Sequence, residues 1–207
     1  MPLLAGNHPL RGANNDSLGP RFPAISDAYD EDLQARVIAC AERLGLAQHI
    51  RPNATYCFVA GPAYESKAEC RFLRSIGGDT VGMSTIPEVI VAKHAGMKIL
   101  CLSLVTNKVV FAKQVDTVHA SHQEVLTAVE TSGKRVEALV TALISKEGLG
   151  SYLDAQPTLT YSPQKKRAAL SSLGPGLGLG GLNSGACVLL VAVAAAGVGF
   201  LLASSRR

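Results

Sequence analysis

The sequence lacks closely spaced cysteine pairs and histidine clusters, which argues against a metal site or a disulfide framework. Its five cysteines are spread along the chain without a CxxC motif: Cys40, Cys57, Cys70, Cys101 and Cys187. An odd, widely spaced set without a secretory signal indicates reduced thiols and a cytoplasmic protein. The N-terminal segment does not resemble a signal peptide, because its apolar run is short and is interrupted by glycine and proline. We therefore expect no metal and no organic cofactor.

Residues 1–147 also lack net charge, since fifteen basic residues balance fifteen acidic residues. The formal net charge of +4 therefore lies entirely in the C-terminal segment. A neutral folded part argues against a nucleic-acid-binding protein, because such proteins concentrate basic residues on their folded surface.

Hydrophobic periodicity predicts helices and strands that alternate as far as residue 147. The spacing of Leu33, Val37 and Leu44 is typical of a helix. Apolar runs predict strands at 55–60, 80–82 and 98–106, and helical patterns cover 66–76, the segment from Thr85 to His94, and the segment from His122 onwards. The sequence Thr85-Ile-Pro-Glu88 is typical of a capping box. The alternation predicts an α/β fold with a largely parallel sheet.

The composition changes after residue 147. Residues 148–184 are rich in glycine, serine and proline and predict a flexible linker. Residues 185–203 are uncharged and almost wholly apolar, and as a helix rising ~1.5 Å per residue they would nearly span the ~30 Å hydrocarbon core of a bilayer. We predict a single transmembrane helix there, which would anchor the protein to a membrane. The alternative is a buried helix, but the preceding linker offers no domain that would bury it.

Polar and aromatic side chains follow each of the three predicted strands. Gly61–Glu65 follows the first strand, Gly82–Thr85 ends the second, and Thr106–Lys108 ends the third. Ligands of open parallel sheets bind beyond the carboxyl ends of the strands. An aromatic ring, a carboxylate, a thioether, hydroxyls and an amide suit a flat heterocycle attached to a sugar. Ser84 could also join helix-terminal N–H groups in binding an anion.

Each of these residues also has a purely structural interpretation. Glu65 could be an exposed acid in the first turn of a helix, and Ser84 and Thr85 could be helix caps. Met83 could fill the core, and Asn107 is a common turn residue. Without further information, the residues indicate a small-molecule site of unknown kind.

Six motifs raise that expectation. HPLRGANN, RFPAISDAYD, AGPAYES, VGMSTIPEVIVAKHAGMK, SLVTNK and ASHQEVL resemble, in this order, the C-terminal half of the trimeric purine nucleoside phosphorylases. That family cleaves purine nucleosides with inorganic phosphate, giving free base and pentose 1-phosphate in purine salvage. The resemblance implies a partial nucleoside-phosphorylase fold over residues 1–147, phosphate as a co-substrate, and a homotrimer.

The resemblance also implies roles for individual residues. Glu65 would accept a hydrogen bond from purine N1–H, Asn107 would bridge O6 and N7, and His122 would bind the ribose 5′-hydroxyl; these three are the predicted catalytic residues. Further predicted contacts to base or ribose come from Tyr64, where the family has Phe, and from Val81, Met83, Thr106 and Lys108. Ser84 would touch phosphate, and Phe22 would cover the ribose of a neighbouring subunit.

The pair of Glu65 and Asn107 favours 6-oxopurine nucleosides such as inosine and guanosine. Methylthioadenosine phosphorylases, which carry an acid in place of Asn107, are an alternative. The family's phosphate loop lies in an N-terminal half for which this sequence shows no counterpart, so we expect little activity from the chain alone. A non-catalytic, membrane-tethered fragment that binds full-length subunits is the second interpretation.

Overall fold

The computed structural model describes residues 8–109, 122–152, 188–193 and 199–201. In chain order the elements are α1 (Glu31–Arg43), a 3-10 helix (Ala47–His49), β1 (Tyr56–Phe58), α2 (Lys67–Ser75), β2 (Thr80–Gly82), α3 (Ile86–His94), β3 (Lys98–Ser103), β4 (Val105–Lys108), α4 (His122–Ile144), a π-helical turn (Lys146–Gly150), β5 (Val188–Val193) and β6 (Gly199–Leu201). Helices and strands alternate from α1 to β3, which confirms the predicted α/β class.

Side-chain caps start the first two helices. At α1, the Asp30 carboxylate accepts a hydrogen bond from the Leu33 N–H at 3.0 Å. At α2, Ser66 and Glu69 form a reciprocal capping box. The capping box predicted at Thr85 is wrong, because the Thr85 side chain makes no cap hydrogen bond. Its backbone φ of 78° departs from the extended conformation that such a cap requires.

The strands form two sheets that are only partly parallel. One sheet has the order β1-β2-β6-β4, and the other consists of β3 and β5. Three pairings are parallel (β1 with β2, β4 with β6, β3 with β5), whereas β2 and β6 are antiparallel. The predicted strand over 98–106 is divided at Leu104, so its two parts join different sheets. The expectation of a largely parallel sheet therefore needs correction to a mixed one.

The apolar C-terminal segment contains strands, and the transmembrane helix predicted over 185–203 is wrong. Val188–Val193 forms β5 and Gly199–Leu201 forms β6. A short apolar run suits a buried strand as well as a helix, and the branched residues Val188, Val191 and Val193 favour a strand. The prediction assumed that no domain was available to bury this segment. In the structure, β2, β3 and β4 have open edges, and the segment pairs with them.

No helix in the described parts of the chain combines the length and the apolar character needed to cross a membrane.

The largest buried cluster lies where α1, α4 and β3 meet. It contains Leu33, Val37, Cys40, Ala41, Leu100, Leu139, Leu143, Leu149 and Tyr152. Leu149 and Tyr152 follow the predicted domain boundary yet belong to this core. Arg36 holds them in place, because its Nη1 donates to the Gly148 carbonyl at 2.9 Å and its guanidinium lies 5.2 Å from the centre of the Tyr152 ring. The remainder of the predicted linker, 153–184, falls outside the described residues.

Asp30 connects α1 to β3. Besides capping the helix, the Asp30 carboxylate forms an ion pair with Lys98, with 2.9 Å between Oδ2 and Nζ. The backbone N–H of Asp30 donates to the Ile99 carbonyl at 2.9 Å. Burial acts to raise the pKa of Asp30, but the Lys98 ammonium and the Leu33 N–H outweigh it and hold the pKa below its ordinary value. The carboxylate is therefore stabilised in its charged form.

We expect Asp30→Ala to destabilise the chain more than Asp30→Asn. Alanine removes both the cap and the ion pair, and a lost cap costs about 1 kcal/mol. Asparagine caps a helix as well as aspartate does. The loss of stability in Asp30→Asn therefore measures the ion pair alone. Urea unfolding at neutral pH measures both losses. Because the pKa of Asp30 is lowered on folding, its contribution should be present above pH 3.8, its ordinary pKa, and fade as the pH falls through the folded-state value. Equal losses in the two variants would contradict a separate role for the cap.

Candidate active site

The carboxyl ends of β1 and β2 meet, and they bring two of the predicted site segments together. The Val59 N–H donates to the Gly82 carbonyl at 3.0 Å, which continues the strand pairing by one residue. Gly61 then turns with φ at 65°, and a Cβ at this position would lie 2.5 Å from the Met83 sulfur. The positive φ favours glycine, and any larger residue would also have to displace the Met83 side chain. The segment that carries Tyr64 and Glu65 therefore lies against the segment that carries Met83 and Ser84.

Glu65 presents a buried acceptor without a partner. Its Oε1 is buried and makes no hydrogen bond within the described structure. Burial raises the pKa of Glu65, and the neighbouring Glu69 carboxylate adds to this effect against the lowering by a backbone hydrogen bond. A half-buried carboxylate in this state gains from a ligand that donates an N–H group.

Asn107 presents the complementary feature, a buried donor without a partner. The Thr106 hydroxyl donates to Asn107 Oδ1 at 2.8 Å, and this bond orients the amide. The amide Nδ2 is buried and has no acceptor among the described residues. Asn107 reaches the sheet of β1 and β2 through β6, because Phe200 pairs with both Asn107 and Val81.

A strained turn lies between β2 and α3. The Ile86 N–H donates to the Ser84 carbonyl at 2.9 Å across Thr85, whose φ and ψ are 78° and −55°. These values define a γ-turn with positive φ, a rare and strained conformation. A β-branched residue at positive φ is a genuine outlier, and such outliers concentrate at functional sites. Thr85 is only 1% exposed, so the surrounding packing holds it in this conformation.

Tyr56 lies in β1, and its hydroxyl contacts this turn. The sequence predicts Tyr56 only as part of a buried strand. Burial raises the pKa of the Tyr56 hydroxyl, while hydrogen bonding to Ser84 and Thr85 acts in the opposite direction. The Tyr56 hydroxyl thus stabilises the turn through hydrogen bonds to Ser84 and Thr85. No local sequence signal indicates this role, because the contact joins two strands that are far apart in the chain.

The remaining predicted site residues differ in their placement. Val81 is fully buried in β2 and Met83 is half-buried, whereas Tyr64 is 39% exposed and Lys108 is exposed. Phe22 is 88% exposed and contacts Arg21, whose guanidinium carbon lies 5.8 Å from the ring centre. His122 begins α4, but its side chain falls outside what the structure describes. The structure therefore brings the segment of Glu65 against the segment of Val81, Met83 and Ser84, connects Asn107 to the same sheet through β6, and leaves Phe22 exposed.

A concavity of about 740 Å³ lies between α1 and β3, and none of these residues lines it. Its two lysines, Lys93 and Lys98, are already paired with Asp27 and Asp30. None of the buried polar atoms without a partner belongs to a residue that lines it. We therefore assign the candidate site to the strand ends. Within the described residues, no cluster of three or more His, Cys, Asp or Glu could hold a metal ion.

This geometry agrees with the comparison to known families. The model of the phosphorylase superfamily matches residues 4–145, and the chain belongs to that superfamily.

Individual relatives narrow the comparison. The chain is 41% identical over 145 residues to purine nucleoside phosphorylase of Bos taurus, a match that covers 70% of this chain and 50% of the bovine protein. It is 41% identical over 156 residues to purine nucleoside phosphorylase of Saccharomyces cerevisiae, with the same two coverages of 70% and 50%. The chain thus spans about half the length of the curated relatives it matches.

Solved structures give the same result. A schistosome purine nucleoside phosphorylase in complex with hypoxanthine superimposes with a TM-score of 0.63 at 38% identity, covering 66% of this chain and 48% of the other. The Schistosoma mansoni enzyme in complex with inosine superimposes with a TM-score of 0.60, also at 38% identity, covering 63% and 46%. The superimposed part is again about half of the known structure.

We expect Thr85→Gly to be more stable than Thr85→Ala. Both substitutions remove the side chain, but only glycine adopts positive φ without strain, and the difference should be about 1 kcal/mol. Urea unfolding of the two variants measures it. Thr127 in α4 provides the matched control, because glycine at an exposed helical position should be less stable than alanine. The same order of stability at both positions would contradict strain at Thr85.

We expect Glu65→Gln to raise the free energy of unfolding at neutral pH. The raised pKa of Glu65 means that folding opposes its ionisation. The resulting penalty is absent at low pH, grows as the pH rises from 4.5, its ordinary pKa, through the folded-state value, and stays constant above it. The stability of the variant and the wild type should therefore converge in acid. Glu42→Gln, at an exposed residue of α1, is the control, and a pH-independent gain at Glu65 would argue against ionisation as the cause.

Proposed function

We propose that this chain forms the base-recognising part of a purine nucleoside phosphorylase that acts on 6-oxopurine nucleosides such as inosine and guanosine. The observation that carries the proposal is the pair of buried atoms without partners, Glu65 Oε1 and Asn107 Nδ2. One accepts and the other donates, so together they require a ligand with a donor and an acceptor. The names of the relatives support a purine nucleoside phosphorylase, and the schistosome complexes hold hypoxanthine, inosine and guanosine as well as adenosine. The preference for 6-oxopurines rests on the hydrogen-bonding groups of the chain itself.

The hydrogen-bonding pattern favours a 6-oxopurine over a 6-aminopurine. A 6-oxopurine carries N1–H, which can donate to Glu65, and O6 and N7, which can accept from Asn107. A 6-aminopurine carries an unprotonated N1 and an amino donor at C6. Ionised Glu65 can only accept, so it matches N1–H and opposes the lone pair of an unprotonated N1. Asn107 Nδ2, the buried atom without a partner, can only donate, so it matches O6 and N7. This pattern argues against the methylthioadenosine alternative.

The same groups would assist the reaction. A phosphate oxygen attacks the anomeric carbon, the bond from that carbon to N9 breaks, and its electron pair passes to the purine. Negative charge then develops on the base, and part of it reaches O6 and N7, where Asn107 Nδ2 donates. A hydrogen bond that strengthens as charge develops lowers the barrier, because it stabilises the transition state more than the ground state.

Phosphate binding is less complete in the described residues. Ser84 and the N-terminus of α3 could contact the anion, and Thr85 holds this segment in its turn. One hydroxyl and a few N–H groups would neither concentrate phosphate nor aim it, so the gain from positioning would be small. We propose that other residues supply the remaining phosphate ligands. We also propose that the chain acts in purine salvage as part of a cytoplasmic homotrimer. In that trimer, His122 would contact ribose and Phe22 would reach a neighbouring subunit.

We expect the full chain to bind hypoxanthine more tightly than adenine, and Asn107→Asp to shift this preference towards adenine by about tenfold or more. The new carboxylate would accept from the amino group of adenine and repel O6, and a hydrogen bond to a charged group is worth about 1.5–3 kcal/mol. Isothermal titration calorimetry with both bases measures the change. Asn53→Asp makes the same substitution at an exposed turn residue and should leave both affinities unchanged.

Two outcomes would count against the proposal. An unchanged ratio of hypoxanthine to adenine affinity in Asn107→Asp would remove Asn107 from the base site. Inosine and phosphate given to the chain alone should release little hypoxanthine, and turnover comparable to that of a full-length enzyme would mean that the phosphate site is complete within this chain.

A further inference from the structure

The C-terminal apolar segment lies within the sheet that carries the candidate site. In β6, Phe200 pairs with Val81 of β2 on one side and with Asn107 of β4 on the other. Leu201 likewise pairs with both Thr80 and Lys108. Neighbouring strands lie about 4.8 Å apart, so one inserted strand sets β2 and β4 about 10 Å apart. The register places Val81 and Asn107 at equivalent positions on the two sides of β6.

β3 and β4 depend on this segment for their strand pairing. β4 has β6 as its sheet neighbour, and β3 has β5, apart from an isolated bridge between Tyr29 and Ile99. Ile99 and Leu100 of β3 are 0% and 2% exposed, and buried backbone groups require hydrogen-bond partners. β5 supplies such a partner strand over six residues, from Lys98 opposite Val188 to Ser103 opposite Val193.

The sequence of the segment suits this position. Val188–Val193 is uncharged and contains three valines, as expected for a strand next to the apolar β3. The preceding residues 153–187 provide ample chain to return from Tyr152 to the sheet, since an extended residue spans up to ~3.3 Å.

We propose that the C-terminal segment completes the candidate site from within the same chain: β5 closes the edge of β3, and β6 positions β4 so that Asn107 lies across from Val81. The segment is thereby a positioning element of the base site and an integral part of the fold. The sheet pairing stands by itself, whereas its consequence for base binding rests on the proposed function.

A proline scan of β5 in the full chain tests the pairing with β3. Among the residues that the structure describes, β5 has a strand neighbour on one side only, so alternate N–H groups bond to β3 and the others point away from it. Proline removes a bond at the first kind of position and is tolerated at the second. Leu189→Pro, Leu190→Pro, Val191→Pro and Ala192→Pro should therefore alternate. The two substitutions whose N–H groups face β3, at either 189 and 191 or 190 and 192, should accelerate amide hydrogen exchange of β3 by about tenfold or more, because each removes a hydrogen bond between the strands. The other two substitutions should leave this exchange unchanged.

The scan separates the proposal from its alternatives, because each variant is its neighbour's control. A helix or a membrane anchor has no two-residue period, so equal effects at all four positions would overturn the proposal. The absence of any effect on β3 would overturn it as well. Because proline at an edge position is mild, two of the four variants should fold like the wild type, as circular dichroism can verify.

Phe200→Pro tests the link to the base site. β6 pairs on both sides and its N–H groups face β2 and β4 alternately, so Phe200→Pro should accelerate exchange in one of these strands and Leu201→Pro in the other. Phe200→Pro should also weaken hypoxanthine binding by about tenfold or more. Ala203→Pro, two residues after Leu201 in the sequence, is the matched control and should change neither. If the two variants together accelerate exchange in only one of the two strands, or in neither, the proposed position of β6 is overturned.

The two readouts also separate this inference from the proposed function. If the wild-type chain fails to bind hypoxanthine while the exchange pattern is as expected, the proposed function fails and the sheet pairing stands. If hypoxanthine binds the wild type and Phe200→Pro equally well, the positioning role of β6 is overturned while base recognition stands.

Discussion

The parallel pairing of β1 with β2 is the constraint on which the candidate site depends. Asp79 secures the start of this pair, because its carboxylate accepts from the Thr55 N–H and from Arg51, both at 2.8 Å, while its own N–H donates to the Thr55 carbonyl. The pairing then runs to the carboxyl ends, where Gly61 packs against Met83. The proximity of the Glu65 segment to the turn at Thr85 follows from these two strand ends lying side by side.

The site carries a conformational and electrostatic cost that the core must offset. Thr85 is held at positive φ, and Glu65 Oε1 and Asn107 Nδ2 are buried without partners. Costs of this kind are each on the order of 1–3 kcal/mol. The packing of α1 and α4 on β3, together with the cap and ion pair of Asp30, supplies stability away from the site. This division is typical of sites that are organised before the ligand arrives.

Sequence patterns predicted local features well where the cause is local. The strand Thr80–Gly82 and the helices beginning near Lys67 and His122 agree with the structure, because hydrophobic spacing and breaking residues act within a few positions. The motifs also singled out Glu65 and Asn107, whose buried polar atoms lack partners. The cap predicted at Thr85 is wrong because β-branched residues disfavour positive φ, and the surrounding tertiary structure holds Thr85 in this conformation. The supporting role of Tyr56 was missed because its partners, Ser84 and Thr85, are distant in sequence.

The sequence by itself determined the α/β class, the family and the chemistry available at the strand ends, since these depend on composition, spacing and motif order. Tertiary structure decided which strands pair, how the segment from Lys98 to Lys108 divides between two sheets, and that Val188–Val193 is a strand. An apolar run fits a membrane helix, a core helix or a buried strand equally well. The choice depends on which backbone hydrogen-bonding groups elsewhere in the fold need a partner, and these are known only once the other strands are in place.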